Sequence, residues 1–395
     1  MKTSAKPTAC GSPATELTIT VGDESCQIKG FTNLHIQCAV DRVAMAGGGR
    51  VLLSAGVFDM EDALHLRSRV QVTGAGERTV LRKAAMRKAR LATYIGYGHH
   101  DLIVDDPAAF TPGMGVIVSS AKTGGFLDTT GTLVRREGDA WFLDRAMNMD
   151  YLKEDDGCVR TLFPLVSAVE IEDATVEDIL LDGNGAANER MNSCRGGGFY
   201  ARASNRIAAR RLIVRDYNGE GFSFQTCDDL VLEDCTAERC GGNGYHPGSG
   251  SNRFRMIRCA ARECGACGLF YCLRVRDGLV EDCLFENNRT HGIGVWSRDE
   301  RNTNRRLTVR GNGHCGLMTL AVPEEQSPHG LVVEECLFEK NCAEAGEAEI
   351  MLDAPARNMR IARNRLRPRA GKGGLLAKDT VPPFAHEGND EKVSG

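Results

Sequence analysis

Six glycines, Gly198, Gly221, Gly244, Gly268, Gly292 and Gly316, stand 23, 23, 24, 24 and 24 residues apart. Each is followed by a large apolar residue: Phe199, Phe222, Tyr245, Leu269, Ile293 and Leu317. A fixed period in this range is the mark of a solenoid, in which each repeat is one coil stacked on the last. The period also locates a ligand, which should lie along the outside of the stacked coils.

Within one repeat, Leu230, Leu232 and Cys235 are spaced to point inward from a strand and its corner, and the next repeat supplies Phe254, Met256 and Cys259. Period-two alternation broken by turns means several short strands per coil. Stacking pairs these strands in parallel, about 4.8 Å apart. Asn288 and Asn312 fall in one column, as an asparagine ladder between coils requires, and Asn341, five after Cys336, announces a further coil. The expected fold is all-β, a right-handed parallel β-helix with coils of about 23–24 residues. A leucine-rich repeat has a similar period but needs a leucine density absent here.

Several of the 16 cysteines follow the same columns. Cys235, Cys259 and Cys283 alternate with leucines, and Cys240 and Cys264 continue into the asparagine column, so they read as small buried residues. Cys264 and Cys267 form a CxxC without a second pair or suitably spaced histidines, which favours structural thiols over a metal site.

Upstream, Ile36, Ala39, Val40 and Val43 share one helical face, ahead of Gly47-Gly48-Gly49 and the strand Val51-Leu52-Leu53. This helix suits a plug for the exposed first coil. The run AVDRVAMAGGGRVLLSAGVFDMEDALHLRSRVQVTGAG resembles the opening of pectate-lyase-superfamily β-helix proteins, and with the later repeats the resemblance spans residues 30–365. It implies the β-helix fold and a carbohydrate-active protein, in a superfamily of lyases, glycosidases, epimerases and phage tailspikes. The expected organisation is an N-terminal segment (1–30), a capping helix with first coils (31–95), an inserted β-rich subdomain (96–160), the main coils (161–366) and a loosely ordered tail (367–395).

The net charge of -4 argues against a broadly basic nucleic-acid binder, and no apolar run of membrane-spanning length occurs. The N-terminus lacks the apolar stretch of a secretory leader, so a cytoplasmic protein is expected, or a secreted or periplasmic one whose leader was removed. The expected partner is a poly- or oligosaccharide, with oligomeric state left open. No cofactor motif is present. Asp182-Gly183-Asn184-Gly185 resembles part of a calcium loop but lacks the remaining carboxylates, and a corner turn is favoured.

Counting from the ladder glycine, positions two and four should face out: Tyr200, Arg202, Ser223, Gln225, His246, Phe270 and Trp296. Asp228 and Asp299 lie three coils apart, about 14 Å, too far for an acid/base pair. Asp277 and Asp299, one coil apart, fit the roughly 5–9.5 Å spacing of glycosidase carboxylates. The structural alternative is an Asp-Gly turn at Asp277 and a solvated loop at Asp299. Arg274, Arg276 and Arg298 form a local basic cluster suited to a uronate carboxylate, or else pair with the acids around them. His246, in a Gly-rich turn, is expected to face outward and to titrate near neutrality as an acid or base. Asp228-Asp229 ahead of Gly244-Tyr245-His246 resembles the Asp-Asp and Gly-His-Gly of polygalacturonases, but proline follows the histidine and Arg274-Val275-Arg276 is only a loose echo of their Arg-Ile-Lys, so those roles are not transferred.

These observations lead to an enzyme cleaving an acidic glycan by elimination, with His246 or Arg274 as base and Asp277 and Asp299 as the hydrolase alternative. Tyr200, Gln225, Arg276, Trp296, Arg298 and Asn302 are the expected substrate-binding residues. A non-catalytic glycan-binding or trimeric fibre protein is the third reading.

Overall fold

The computed structural model describes residues 16–393. The chain is a right-handed parallel β-helix. One coil runs through Phe222–Gln225, Val231–Glu233 and Thr236–Glu238, and the next begins at Tyr245. Every segment pairs in parallel with its counterpart one coil on, as Phe222 with Tyr245, Val231 with Arg255 and Thr236 with Ala260. The first segment of each coil builds a 10-stranded sheet, and the other two build a 21-stranded one. Between them Phe222, Phe224, Cys227, Leu230, Leu232 and Cys235 are wholly buried. Burying each large side chain contributes about 1.5–3 kcal/mol.

None of the six ladder glycines lies in the left-handed region. Close approach of neighbouring coils is what excludes a side chain. A Cβ on Gly244 would sit 2.4 Å from Ala261 Cβ, and one on Gly292 would sit 2.2 Å from Val309 Cγ1 and 2.7 Å from the Gly316 carbonyl oxygen.

The left-handed positions belong instead to charged corner residues. One column reads Asp173, Arg206, Asp229, Arg253, Asp277, Arg301, and another Asp178, Arg211, Asp234, Arg258, Asp282, Arg306, all with φ between 49° and 59°. Sign alternates coil by coil. Each arginine forks onto the acid of the coil before it, as Arg253 on Asp229 and Arg301 on Asp277. Like charges one coil apart would repel at about 5 Å, and alternation turns that repulsion into paired hydrogen bonds.

The described cysteines are free thiols. In their columns sulfur does what asparagine does further along: Cys259 N donates to Cys283 Sγ, and Cys264 N to Asn288 Oδ1. Asn312 Oδ1 accepts from both Asn288 N and Nδ2. Asp182 accepts from Asn184 N and pairs with Arg82, so that segment is a corner turn.

The helix Asn33–Met45 buries Ile36, Ala39, Val40 and Val43 against the first coil, as a cap should. Strand Leu17–Gly22 pairs with Gly49–Leu53, so residues from 17 onward belong to the stack rather than to a separate leading segment. The leader question concerns residues 1–15, which lie outside the described residues. Two more boundaries are corrected. The inserted subdomain begins at Lys88, where Lys88–Arg90 pairs with Cys158–Arg160. It is a 6-stranded antiparallel sheet with its own core around Leu102, Val116, Trp141 and Tyr151. The C-terminal stretch is no loose tail: Gly373–Ala377 pairs with Ala348–Leu352, and Ala385–Glu387 with Arg360–Ala362. No described helix is long and apolar enough to cross a membrane.

Candidate functional site

The insertion separates two coils in sequence that are neighbours in space. Val166 pairs with Leu64 and Ser167 with His65, while Ser167 pairs on its other side with Tyr200. His65, Ser167 and Tyr200 therefore form one column on the outer face of the 10-stranded sheet. The inserted subdomain stands over this column and supplies Thr130, Gly131 and Arg145 as a facing wall, and the segment before Gly196 adds Arg195. The result is a half-open pocket of about 70 Å³ that shares His65, Arg145 and Ser167 with a wider groove of about 270 Å³ edged by Arg67, Arg145, Glu170 and Arg202.

A chain of hydrogen bonds crosses the pocket floor. Ser167 Oγ lies 2.8 Å from His65 Nδ1, and His65 Nε2 lies 3.3 Å from Asp62 Oδ2. Asp62 is buried and also accepts from Ala63 N (2.7 Å) and from Thr132 Oγ1 of the insertion (2.6 Å). Gly115 makes the room, because a Cβ there would lie 2.0 Å from Asp62 Oδ1. Beneath the pocket Lys83 is fully buried, with Nζ 3.2 Å from both the Thr161 oxygen and the centre of the Phe163 ring. Burial holds its ammonium well below the usual lysine range, against the opposing charge of Asp62.

Two arginines bring positive charge without a firm partner. The nearest carboxylate to Arg145 is that of its chain neighbour Asp144, at 3.5 Å. Arg195 donates to the Phe126 carbonyl, while its buried Nε has no partner. Tyr200 donates to the Cys194 oxygen at 2.7 Å, and burial pushes its phenol up, keeping it protonated. This arrangement can hold a carboxylate, accept a proton at an imidazole and offer a phenolic proton.

Most of the residues expected from sequence lie elsewhere. His246 follows Tyr200 and Ser223 in the column, as the register requires. It is nonetheless 4% exposed, with its ring 5.7 Å from that of Phe270 one coil on. Neither ring nitrogen has a hydrogen-bond partner, and burial pushes the imidazole down to about 4. Glu220, 3.9 Å away, is pushed up to about 7 by burial, so both groups are neutral over the middle of the pH range. The register keeps His246 in the outward column, but it is covered there, so the expectation of an imidazole titrating near neutrality is corrected.

Asp277 and Asp299 do not form a pair. Asp277 is held by Arg301, which keeps it below the usual carboxylate range. Asp299 is buried inside its turn, accepting from Val275 N and Trp296 N at 2.9 Å each, and burial raises it to about 7. Asn302 is buried and ties Gly278 N to the Val275 oxygen, and Gln225 is buried against Ser223. Arg276 faces Glu300 at 3.5 Å. The structure does bring Arg274, Arg298 and Trp296 together at the surface, with Trp296 stacked 6.4 Å from Phe270. Neither Arg274 nor Arg298 forms an ion pair among the described residues.

Residues 164–313 match the family described as the right handed beta helix region. No curated protein matches the sequence. Among solved structures, the A-module of Azotobacter vinelandii mannuronan C-5 epimerase AlgE4 is similar with a TM-score of 0.56 and 17% identity, over 92% of this chain and 91% of that one. The AlgE6 A-module from the same organism gives 0.56 and 17%, over 91% and 95%. PfbA, a surface adhesin of Streptococcus pneumoniae, gives 0.50 and 11%, over 92% and 88%. At these identities the likeness is one of fold.

Proposed function

We propose that this β-helix is a carbohydrate-active enzyme that cleaves an acidic, uronate-containing poly- or oligosaccharide by elimination, in the groove between the 10-stranded sheet and the inserted subdomain. The observation that carries this reading is the convergence of one buried-acid-backed imidazole, one protonated phenol and two under-partnered guanidinium groups on a single pocket. Arg145 and Arg195 neutralise the substrate carboxylate, which acidifies the adjacent C-5 proton. His65, oriented by Asp62, takes that proton once substrate displaces the Ser167 hydroxyl from Nδ1. Tyr200 gives its proton to the departing glycosidic oxygen. The glycan continues along the sheet toward Trp296, Arg274 and Arg298, four coils beyond Tyr200 or about 19 Å, where the indole offers a stacking face.

Two of the similar structures are by name mannuronan C-5 epimerases, and elimination starts at the same carbon. The hydrolase alternative loses support, since neither Asp277 nor Asp299 is free. The test is incubation with uronate-rich polysaccharides, following ultraviolet absorbance of the unsaturated product beside new reducing ends. Absorbance lost in His65→Ala and Arg145→Ala is expected. New reducing ends without absorbance would overturn elimination, and neither signal on any acidic glycan would favour a binding protein.

A further inference from the structure

We propose that Ser167, His65 and Asp62 also form a nucleophilic relay, which hydrolyses short acyl esters carried by the sugar chain. Glycan as the natural substrate rests on the preceding reading; the ester chemistry rests on the geometry of the three side chains and of the pocket beside them.

The geometry is that of a hydroxyl activated by a general base, itself oriented by a carboxylate. With the ring proton on Nε2, donated to Asp62 Oδ2 at 3.3 Å, the Nδ1 lone pair is left to accept the Ser167 hydroxyl at 2.8 Å. Asp62 is fixed in that orientation by Ala63 N and Thr132 Oγ1. Ser223, two coils further along the same column, spends its hydroxyl on the Ser193 carbonyl, as a structural serine does. Ser167 instead faces an imidazole whose side chain is 32% exposed, and both line the pocket and the groove. The pocket beside it has an apolar wall of Val116, Leu162, Phe163 and Val169, against which the acyl group of an esterified sugar would pack. Arg145 lines both cavities and supplies positive charge where a carbonyl oxygen would turn anionic.

The steps balance with water as the only co-reactant. Ser167 Oγ attacks the ester carbon as its proton passes to His65 Nδ1, and the carbonyl π electrons move to oxygen. The tetrahedral adduct collapses, the bond to the sugar oxygen breaks, and that oxygen takes the proton from Nδ1. Water then attacks the acyl-serine, with His65 again receiving a proton and returning it to Oγ, releasing a carboxylic acid.

The experiment uses the full chain with p-nitrophenyl acetate and with an O-acetylated uronate polymer, following nitrophenolate and free acetate. An alkyl fluorophosphonate, with peptide mass mapping, serves as an independent probe of the serine. Ester turnover by the wild type is expected to fall by about 10³-fold or more in Ser167→Ala and in His65→Gln, with the label on Ser167 in the wild type. Wild-type turnover no higher than that of Ser167→Ala, together with no label at Ser167, would overturn the relay even if a variant proved unstable. The ultraviolet signal of the unsaturated product, read on the same wild-type sample with unacetylated polymer, reports separately on the elimination reading.

Discussion

Asp299 illustrates how one carboxyl can carry chemistry in a sequence reading and architecture in the fold. It accepts two backbone N–H groups, bonds that favour its charged form, yet burial outweighs them and raises it from 3.8 to about 7. The unfolded chain ionises near the lower value and the folded chain near the higher, so folded protein binds more protons between them. The stabilisation this group gives is complete below about pH 4 and is lost as pH rises toward 7. Glu220 and Glu349, each raised to about 7, act in the same sense, and His246, lowered to about 4, acts in the opposite one. Asp299→Asn should therefore flatten part of the fall in stability across this window, by an amount on the order of a few kcal/mol. It should also cost a pH-independent amount, because an amide cannot accept on both sides. Urea midpoints at pH 4.5 and 7.5 decide it, and equal slopes in wild type and variant would show that Asp299 is already ionised in the folded protein.

Among the elements, the corner columns were as countable as the glycines. Asp229, Arg253, Asp277 and Arg301 are each 24 residues apart, but their alternation of sign doubles the period. A search for like residues at one spacing therefore passes over them, and Asp277 taken alone looks catalytic. Its partner Arg301 is one coil away, fixed by the same register that pairs Arg276 with Glu300. Substituting Asp277→Arg would set three arginines in succession, from Arg253 to Arg301, at corner positions already in the left-handed region. The melting temperature should fall, and added salt should recover part of the loss, since exposed charges are screened within about 10 Å at 0.1 M. A variant as stable as the wild type at low salt would remove the ladder's role. The glycine period was legible for a different reason: in six successive coils, from Gly198 to Gly316, the neighbours come too close for a Cβ, so the constraint there falls on one residue type.

At the scale of the whole molecule, the pocket was hidden because its walls come from places that no local pattern connects. Asp62 and His65 lie on one side of the insertion and Ser167 on the other, 102 residues from His65, while the ruler of ladder glycines starts only at Gly198. The alternation of Leu64-His65-Leu66 matches that of Val166-Ser167-Ala168 and Phe199-Tyr200-Ala201, a weak signal that the two coils are neighbours. The clasp between the two layers sits at the same place as the proposed chemistry. Thr132 of the insertion donates to the Asp62 oxygen that also faces His65, and Asn192 Nδ2 reaches Asp128 Oδ2 at 2.6 Å. Removing the Thr132 hydroxyl should leave the fold in place, because Asp62 keeps its bonds to Ala63 and His65. It frees the imidazole to shift, however, and small displacements of a catalytic group cost up to about 10²-fold in rate. For Thr132→Val we expect kcat to fall by about 10- to 100-fold with KM little changed, and Thr132→Ser to restore most of the loss. An equal loss in the serine variant would point to packing of the threonine methyl instead, and unchanged kinetics in Thr132→Val would show that the insertion walls the groove without orienting its histidine.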